Sequence, residues 1–133
     1  MGIDYGRVRV GLALSDPLGI TAQPLAVLES KSPEVLLTDL GRIVSEREVT
    51  HVVLGLPLKL DGTEGSAASE ARTFAEELRR RLDVPVELWD ERLSTVQAER
   101  AMLDADMSRT QRKKRRDKVA AQILLQSYLD AHR

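Results

Sequence analysis

Cysteine is absent from this 133-residue chain. That excludes a disulfide scaffold, a thiol nucleophile and a Cys-ligated zinc site, and it fits a reducing cytoplasm. Histidine is scarce, with only His51 and His132. One Trp, two Tyr and one Phe leave the core to aliphatic side chains. No apolar run approaches the roughly 20 residues that a membrane-spanning helix needs. Nothing resembles a signal peptide, because the N-terminus enters directly into a strand pattern. What is there is an ordinary globular composition, 42% hydrophobic and 31% charged, which argues against disorder. The length suits a single domain over residues 1–133 with a core of its own.

The net charge of −1 hides an asymmetry. Between Arg109 and Lys118 there are seven basic residues and one acid, a local charge of +6, so the rest of the chain carries −7. One concentrated basic segment on a nearly neutral protein attracts polyanions locally.

Residues 1–5 and 8–14 read as two strands around a tight turn at Gly6-Arg7. Val8, Val10, Leu12 and Leu14 alternate with Arg9, Gly11 and Ala13, which is a period of two. Asp16-Pro17-Leu18-Gly19 is a turn signal, and residues 23–29 read as a third strand. Ser32-Pro33 supplies an N-cap and a first-turn proline for a helix to about Glu46, with Val35, Leu36, Leu40 and Ile43 on its apolar face. His51 to Leu56 is nearly all apolar, as in a strand buried on both faces. After a loop from Gly55 to Gly65, a helix is expected over 66–82 and a strand over 84–89. Ser94-x-x-Gln97 is a capping box that opens a third helix. A connector over 104–108 and a fourth helix over 110–131 complete the chain. Early antiparallel strands followed by alternating strands and helices imply an α/β fold, a mixed five-stranded sheet flanked by helices.

Three acids stand out against this pattern. Asp4 lies inside the apolar run Gly2-Ile3-Asp4-Tyr5-Gly6. A carboxylate there is costly unless paired, hydrogen-bonded or bound to a metal. A turn-forming Asp would account for it more simply, but Asp4 sits two residues before the turn, inside the strand. Glu91 and its neighbour Asp90 follow the strand that ends at Trp89. Side chains at the end of a parallel strand face the crevice where α/β sheets bind ligands. Either acid serves as a ligand there, or as a plain surface charge; periodicity does not separate them. Asp117 is the one acid in the basic run and shares a helical stripe with Ala120, Ala121, Leu124 and Tyr128. A salt bridge to Lys113 or Lys114 is the simpler account of it, yet the apolar stripe argues that it points inward. Two alanines beyond it let the helix come close to the sheet. Three carboxylates gathered together repel, and a divalent cation resolves that repulsion. Hard oxygen ligands favour Mg²⁺ or Mn²⁺ over Zn²⁺. The pattern points to metal-dependent phosphodiester chemistry.

The basic run is most simply a solvated face. It nevertheless puts cations at the positive end of a helix dipole, a local cost that phosphate contact would explain. The loop Gly55 to Gly65 lacks the Gly-Lys-Ser/Thr of a P-loop. With Lys59 it suits a flap over a substrate. His51 reads as structural, and Trp89 reads as core.

With these residues in view the chain resembles the YqgF/RuvX family, relatives of the RuvC resolvase on an RNase H-like fold. The resemblance is carried by Gly2-Ile3-Asp4-Tyr5-Gly6, Arg9 to Asp16, Val53 to Leu58, Asp61 to Gly65, Asp90-Glu91-Arg92-Leu93-Ser94-Thr95 and Asp117 to Leu129. It implies that Asp4, Glu91 and Asp117 are catalytic, metal-holding carboxylates, with Asp90 as a helper. It implies two Mg²⁺ or Mn²⁺ ions per site and a role for Arg9 beside them. The nucleic-acid-binding set expected around that site is Arg7, Arg9, Lys59, Arg92, Arg112, Lys113, Lys114, Arg115, Arg116 and Lys118. The family is tied to maturation of the 5′ end of the small-subunit ribosomal RNA precursor and to resolution of four-way DNA junctions. A resolvase would act as a dimer. Gly-Ile-Asp-Tyr-Gly also resembles the first phosphate-binding segment of actin-like ATPases and sugar kinases. Those proteins need a second domain, for which 133 residues leave no room. A non-catalytic RNA-binding assembly factor is the third reading.

Overall fold

Segments of period two, or wholly apolar, form the five strands of the computed structural model. They are β1 (Gly2–Tyr5), β2 (Arg9–Ser15), β3 (Ala22–Glu29), β4 (Val52–Leu56) and β5 (Val86–Asp90). Helix α1 (Pro33–Glu46) links β3 to β4, and α2 (Ser66–Arg81) links β4 to β5. A short 3₁₀ turn (Glu91–Leu93) follows β5, and α3 (Arg109–Ala131) ends the fold. The structure describes the backbone of residues 1–29, 32–93 and 109–133, and the side chains of 1–29, 32–92 and 119–133. The helix expected from Ser94-x-x-Gln97 and the connector over 104–108 lie outside the described residues.

The sheet order is β3-β2-β1-β4-β5. Strands β1, β2 and β3 pair antiparallel, whereas β1–β4 and β4–β5 are parallel. This is the mixed sheet expected from the order of elements. Ile3, Val10, Leu12 and Leu54 face α1 and α2, where Leu36, Leu40, Phe74 and Leu78 close the main core. Each fully buried Leu contributes about 1.5–3 kcal/mol. Ala13, Ala22 and Val53 face the other way and pack with Ala121 and Leu125 of α3. Small residues, Ala13, Ala22 and Ala121, form part of that second layer, and Leu125, Trp89 and Tyr128 fill the rest. A Cβ added to Gly2 would lie 2.8 Å from the Leu125 Cβ and 3.2 Å from the Ala121 carbonyl oxygen. Gly2 therefore lets α3 approach β1, as the two buried alanines Ala120 and Ala121 do from the helix side.

Local chemistry explains most boundaries. The Ser32 side chain accepts a hydrogen bond from the Val35 amide at 3.1 Å, the expected N-cap. At the other end of α1, Val49 N–H reaches Val44 O at 3.0 Å and Glu48 N–H reaches Ser45 O at 3.3 Å. This Schellman closure puts Glu48 at a positive φ of 53°. In the β2–β3 pairing Leu12 faces Ala26 but Ala13 faces Pro24, so Leu25 is an extra, bulged residue. Pro24, which has no N–H, sits beside that bulge on an edge strand, where it is tolerated.

Three expectations shift. Val35 is exposed and Leu37 is buried instead, so the inward stripe of α1 runs through Leu36, Leu37 and Leu40. Val8 is exposed in the turn, because β2 begins only at Arg9. The last strand begins at Val86, not Val84, and extends to Asp90. Pro85 lacks an amide for the ladder and contributes only its carbonyl, which accepts from Val52 N at 2.9 Å.

Candidate active site

Along β1, Ile3 and Tyr5 turn toward α1 and α2, so Gly2 and Asp4 turn toward α3. Asp4 is only 7% exposed. β1 and β4 run parallel with Gly2 beside Val53 and Ile3 beside Leu54. One further step of that register sets Asp4 beside Gly55. Gly55 shares the face of Val53, and Gly11, the antiparallel partner of Asp4, closes the other flank.

Glu91 reaches the same place from the end of β5. It is 8% exposed, and it and Asp4 are the two buried charged residues among those described. A Cβ on Gly55 would lie 2.5 Å from Glu91 Oε1 and 3.1 Å from its Cγ. The Glu91 side chain thus occupies the space that any other residue at 55 would fill. Asp90 points elsewhere. Its carboxylate accepts the Arg92 backbone N–H at 2.9 Å. Arg92 Nη2 donates to Oδ2 at 2.8 Å, and Nε lies 3.1–3.2 Å from both oxygens. That hydrogen-bonded guanidinium holds the Asp90 carboxyl below its usual range and raises the Arg92 pKa in return.

The third acid belongs to α3. Ala121 and Leu125 lie over Gly2, and Tyr128 reaches His51, whose carbonyl accepts the Met1 amino group. α3 therefore runs against β1, and backbone position 117 comes one turn beyond Ala121 in the direction of Asp4. The Asp117 side chain lies outside the described residues. So do the side chains of Arg112, Lys113, Lys114, Arg115, Arg116 and Lys118, whose backbone forms the first turns of α3. Among the described residues no group of three or more His, Cys, Asp or Glu side chains is arranged to hold a metal. The donor set present is two buried carboxylates at one sheet edge. Two such anions fit a hard divalent cation of the Mg²⁺ or Mn²⁺ kind, which would balance both charges.

The remaining expected cations are distributed unevenly. Arg9 is half-buried on the face of β2 that carries Gly11 and Ala13, at the edge where Asp4 sits. Lys59 is exposed, with its Cε 2.9 Å from where a Cβ on Gly65 would sit, at the start of α2. Arg7 turns to the opposite face, where it donates to Glu70 of α2 at 2.8 and 3.2 Å. Arg92 is engaged by Asp90.

Two features escape sequence reasoning. Pattern places Gly55 at the start of a loop, yet it is a buried strand residue paired with Trp89. Its place as the fourth residue of an apolar run, where a side chain would ordinarily add core, is the available signal. The second is a polar network away from the carboxylates. Tyr128 O–H donates to Glu87 Oε2 at 2.7 Å, and His51 Nε2 lies 3.1 Å from the same oxygen. Burial and the Glu87 carboxylate push the Tyr128 phenol up to about 12. Trp89 packs edge-on to Tyr128 and donates to Ser127 Oγ at 3.2 Å, so it belongs to the α3 layer.

Comparison with known proteins fits this arrangement. The RuvX family model, described as Holliday junction resolvase, matches residues 1–131. A Myxococcus xanthus protein named "Putative pre-16S rRNA nuclease" is 53% identical over 133 residues, all of this chain and 88% of that one. A Halothermothrix orenii protein of the same name is 48% identical, covering 98% of this chain and 93% of its own. Among solved structures, Thermus thermophilus RuvC superposes with a TM-score of 0.54 at 15% identity, covering 98% of this chain and 93% of that one. A second T. thermophilus RuvC structure, in complex with a Holliday junction substrate, matches with the same TM-score, again over 98% of this chain. The fold is therefore RNase H-like, as the sheet order and flanking helices require, and the chain belongs to the RuvX family.

Proposed function

We propose that this protein is a divalent-metal-dependent endonuclease. It would hydrolyse phosphodiester bonds of structured nucleic acid, acting as one domain over residues 1–133. Its proposed cellular task is processing the 5′ end of the pre-16S ribosomal RNA in the cytoplasm. The observation that carries this reading is the burial of Asp4 and Glu91, with the Glu91 carboxylate filling the space over Gly55, the strand neighbour of Asp4. Burying a charge costs several kcal/mol that partners or a cation must offset, and two acids buried together on one face of the sheet favour a functional role. Family membership and the names of its relatives support nuclease activity and the ribosomal task.

The chemistry follows from what the residues hold. Asp4 and Glu91, with Asp117 as the third acid, would hold two Mg²⁺ or Mn²⁺ ions. When bound, those ions supply an activated water and neutralise charge on the phosphate. Water oxygen bonds to phosphorus while the bond to the 3′ oxygen breaks, and no covalent enzyme intermediate forms. Gly55 keeps the Glu91 carboxylate beside Asp4. Arg9 stands at the same edge, where a guanidinium neutralises a phosphate oxygen. Lys59 and the cations of the first α3 turns would hold the flanking backbone.

A second reading is resolution of four-way DNA junctions, favoured by the family description and by the fold shared with RuvC. It requires two paired cuts, hence a symmetric dimer. The deciding experiment is cleavage of a matched panel of precursor RNA, duplexes and four-way junctions by wild type and Asp4→Asn. Cleavage of precursor RNA that needs metal and Asp4 supports the ribosomal reading. Symmetric nicks in the junction by a stable dimer, with precursor RNA intact, make the resolvase reading primary. Binding without cleavage in any metal leaves an RNA-binding assembly factor.

A further inference from the structure

We infer that Arg92 is a positioning residue. It clasps Asp90 across Glu91 and seats the 57–65 loop on the same guanidinium, so that loop and Glu91 are held as one unit. The inference deepens the proposed function and rests on Glu91 acting there.

The clasp is built within three consecutive residues. Asp90 and Arg92 bond to each other through a backbone N–H and a two-toothed guanidinium contact, with Nε and Nη2 both on the carboxylate. Glu91 lies between them, in the 3₁₀ turn the clasp closes. With its neighbours tied together on the outside, Glu91 is turned inward over Gly55. The clasp also settles which of two adjacent acids faces the sheet edge. A carboxylate neutralised by a two-toothed guanidinium is a poor competitor for a cation. Without Arg92, Asp90 would be a rival ligand one residue from Glu91.

The other side of the guanidinium carries the loop. A Cβ on Gly62 would lie 3.3 Å from Arg92 Nη1 and 3.8 Å from its Cζ. Gly62 has a φ of 88°, so a side chain there would be strained as well as crowded. The loop tip is closed on itself: Lys59 N–H donates to Thr63 O at 2.9 Å, and Gly62 N–H to Lys59 O at 2.8 Å. Asp61 accepts the Thr63 amide at 3.0 Å and its hydroxyl at 2.6 Å, and its charge also favours Arg92. A preformed loop that carries Lys59 is thus docked on the residue that orients Glu91. Displacing the loop would disturb Glu91 through Arg92. This role differs from that of a phosphate-contacting arginine, which the sequence alone suggests for Arg92.

The test uses the full chain with Arg92→Ala, Arg92→Lys, Asp90→Asn, Glu91→Gln and the Asp90→Asn/Arg92→Ala double variant. Amide hydrogen exchange at 59–63, Mn²⁺ binding by calorimetry, and kcat and KM on the best substrate of the panel are measured for each. Arg92→Ala and Asp90→Asn should each lower kcat about 10–100-fold, the cost of roughly 1 Å of misplacement. KM should stay within about twofold, as for a residue that does not bind substrate itself. The double variant should be no worse than Arg92→Ala, because both changes break one clasp. Mn²⁺ binding should weaken, and the amides of Lys59 and Gly62 should exchange faster. Lys in place of Arg92 should not restore kcat, since it cannot make the two-toothed contact. Additive losses would overturn the inference. So would a raised KM with unchanged kcat and a salt slope reduced by about 0.7–0.9, the mark of an arginine that neutralises a phosphate. Exchange at 59–63 unchanged in Arg92→Ala would also overturn it, independently of catalysis. Wild-type cleavage by Glu91→Gln would instead remove the reading of Glu91 on which the inference stands.

Discussion

Glu91 fills the space that a side chain on Gly55 would need: a Cβ there would meet Oε1 at 2.5 Å. A buried strand has given up a side chain of its own core to admit a carboxylate from the turn that follows the next strand. That exchange weakens the core locally, since glycine in a strand packs nothing and costs chain entropy. It also sets a second acid next to Asp4 on the same face of the sheet.

Gly55→Ala should therefore cost activity more than its size suggests. The added methyl must push the Glu91 carboxylate away, and we expect kcat to fall about 10–100-fold. Stability should fall by about 1–3 kcal/mol, as for overpacking elsewhere. Steady-state kinetics and thermal unfolding of the same preparation check both. Wild-type kcat would mean that Glu91 has another place to go.

Asp4→Asn, Glu91→Gln and Asp117→Asn should each nearly abolish cleavage in Mg²⁺ or Mn²⁺. Apo-protein stability should be unchanged or slightly higher, because removing one charge relieves repulsion among the rest. The check is cleavage and unfolding of each variant beside wild type in EDTA. Full wild-type activity in EDTA, or wild-type rates in Asp4→Asn, would refute the assignment.

Replacing Lys113, Lys114, Arg115 and Arg116 with Gln should weaken nucleic-acid binding and flatten its salt dependence. Each phosphate that the variant no longer neutralises lowers the log–log slope by about 0.7–0.9. Fluorescence anisotropy across a salt series measures it. An unchanged slope would make the run a solvated face only.

The Tyr128 phenol gives an alkaline signature. Its folded pKa is raised from 10 to about 12. The folded protein therefore keeps its proton where the unfolded chain loses it. The resulting stability is fully present below about pH 10 and is lost as pH rises toward 12. Denaturant midpoints from pH 8 to pH 12 should fall for wild type, and Tyr128→Phe should show a shallower fall. At pH 8 that variant should be less stable by about 1 kcal/mol, because the hydrogen bond to Glu87 is gone. Parallel curves for the two proteins would contradict the shift.

Among the described residues, pattern alone located the strands and helices, apart from shifts of a residue or two at their ends. Val10 and Leu12 alternate, Val52 to Leu54 form an apolar run, and Ser32-Pro33 caps a helix; each signal is local and acts within a few residues. Asp4 was legible for the same reason, since one charge inside an apolar strand is anomalous whatever surrounds it. Tertiary structure decided what depends on neighbours distant in the chain. Asp90 and Glu91 are alike in charge and adjacent in sequence, and no period distinguishes them. Only the parallel pairing of β4 with β5 brings Gly55 beneath Glu91, while the turn hands Asp90 to Arg92. Arg7 and Arg9 are the same residue type two positions apart. The turn at Gly6-Arg7 sends one to Glu70 on α2, and the strand pleat sets the other at the Asp4 edge. Charge and hydrophobicity are properties of single residues and can be read in order. The company a side chain keeps is a property of strand pairing, which closes over loops of tens of residues and leaves no mark in local sequence.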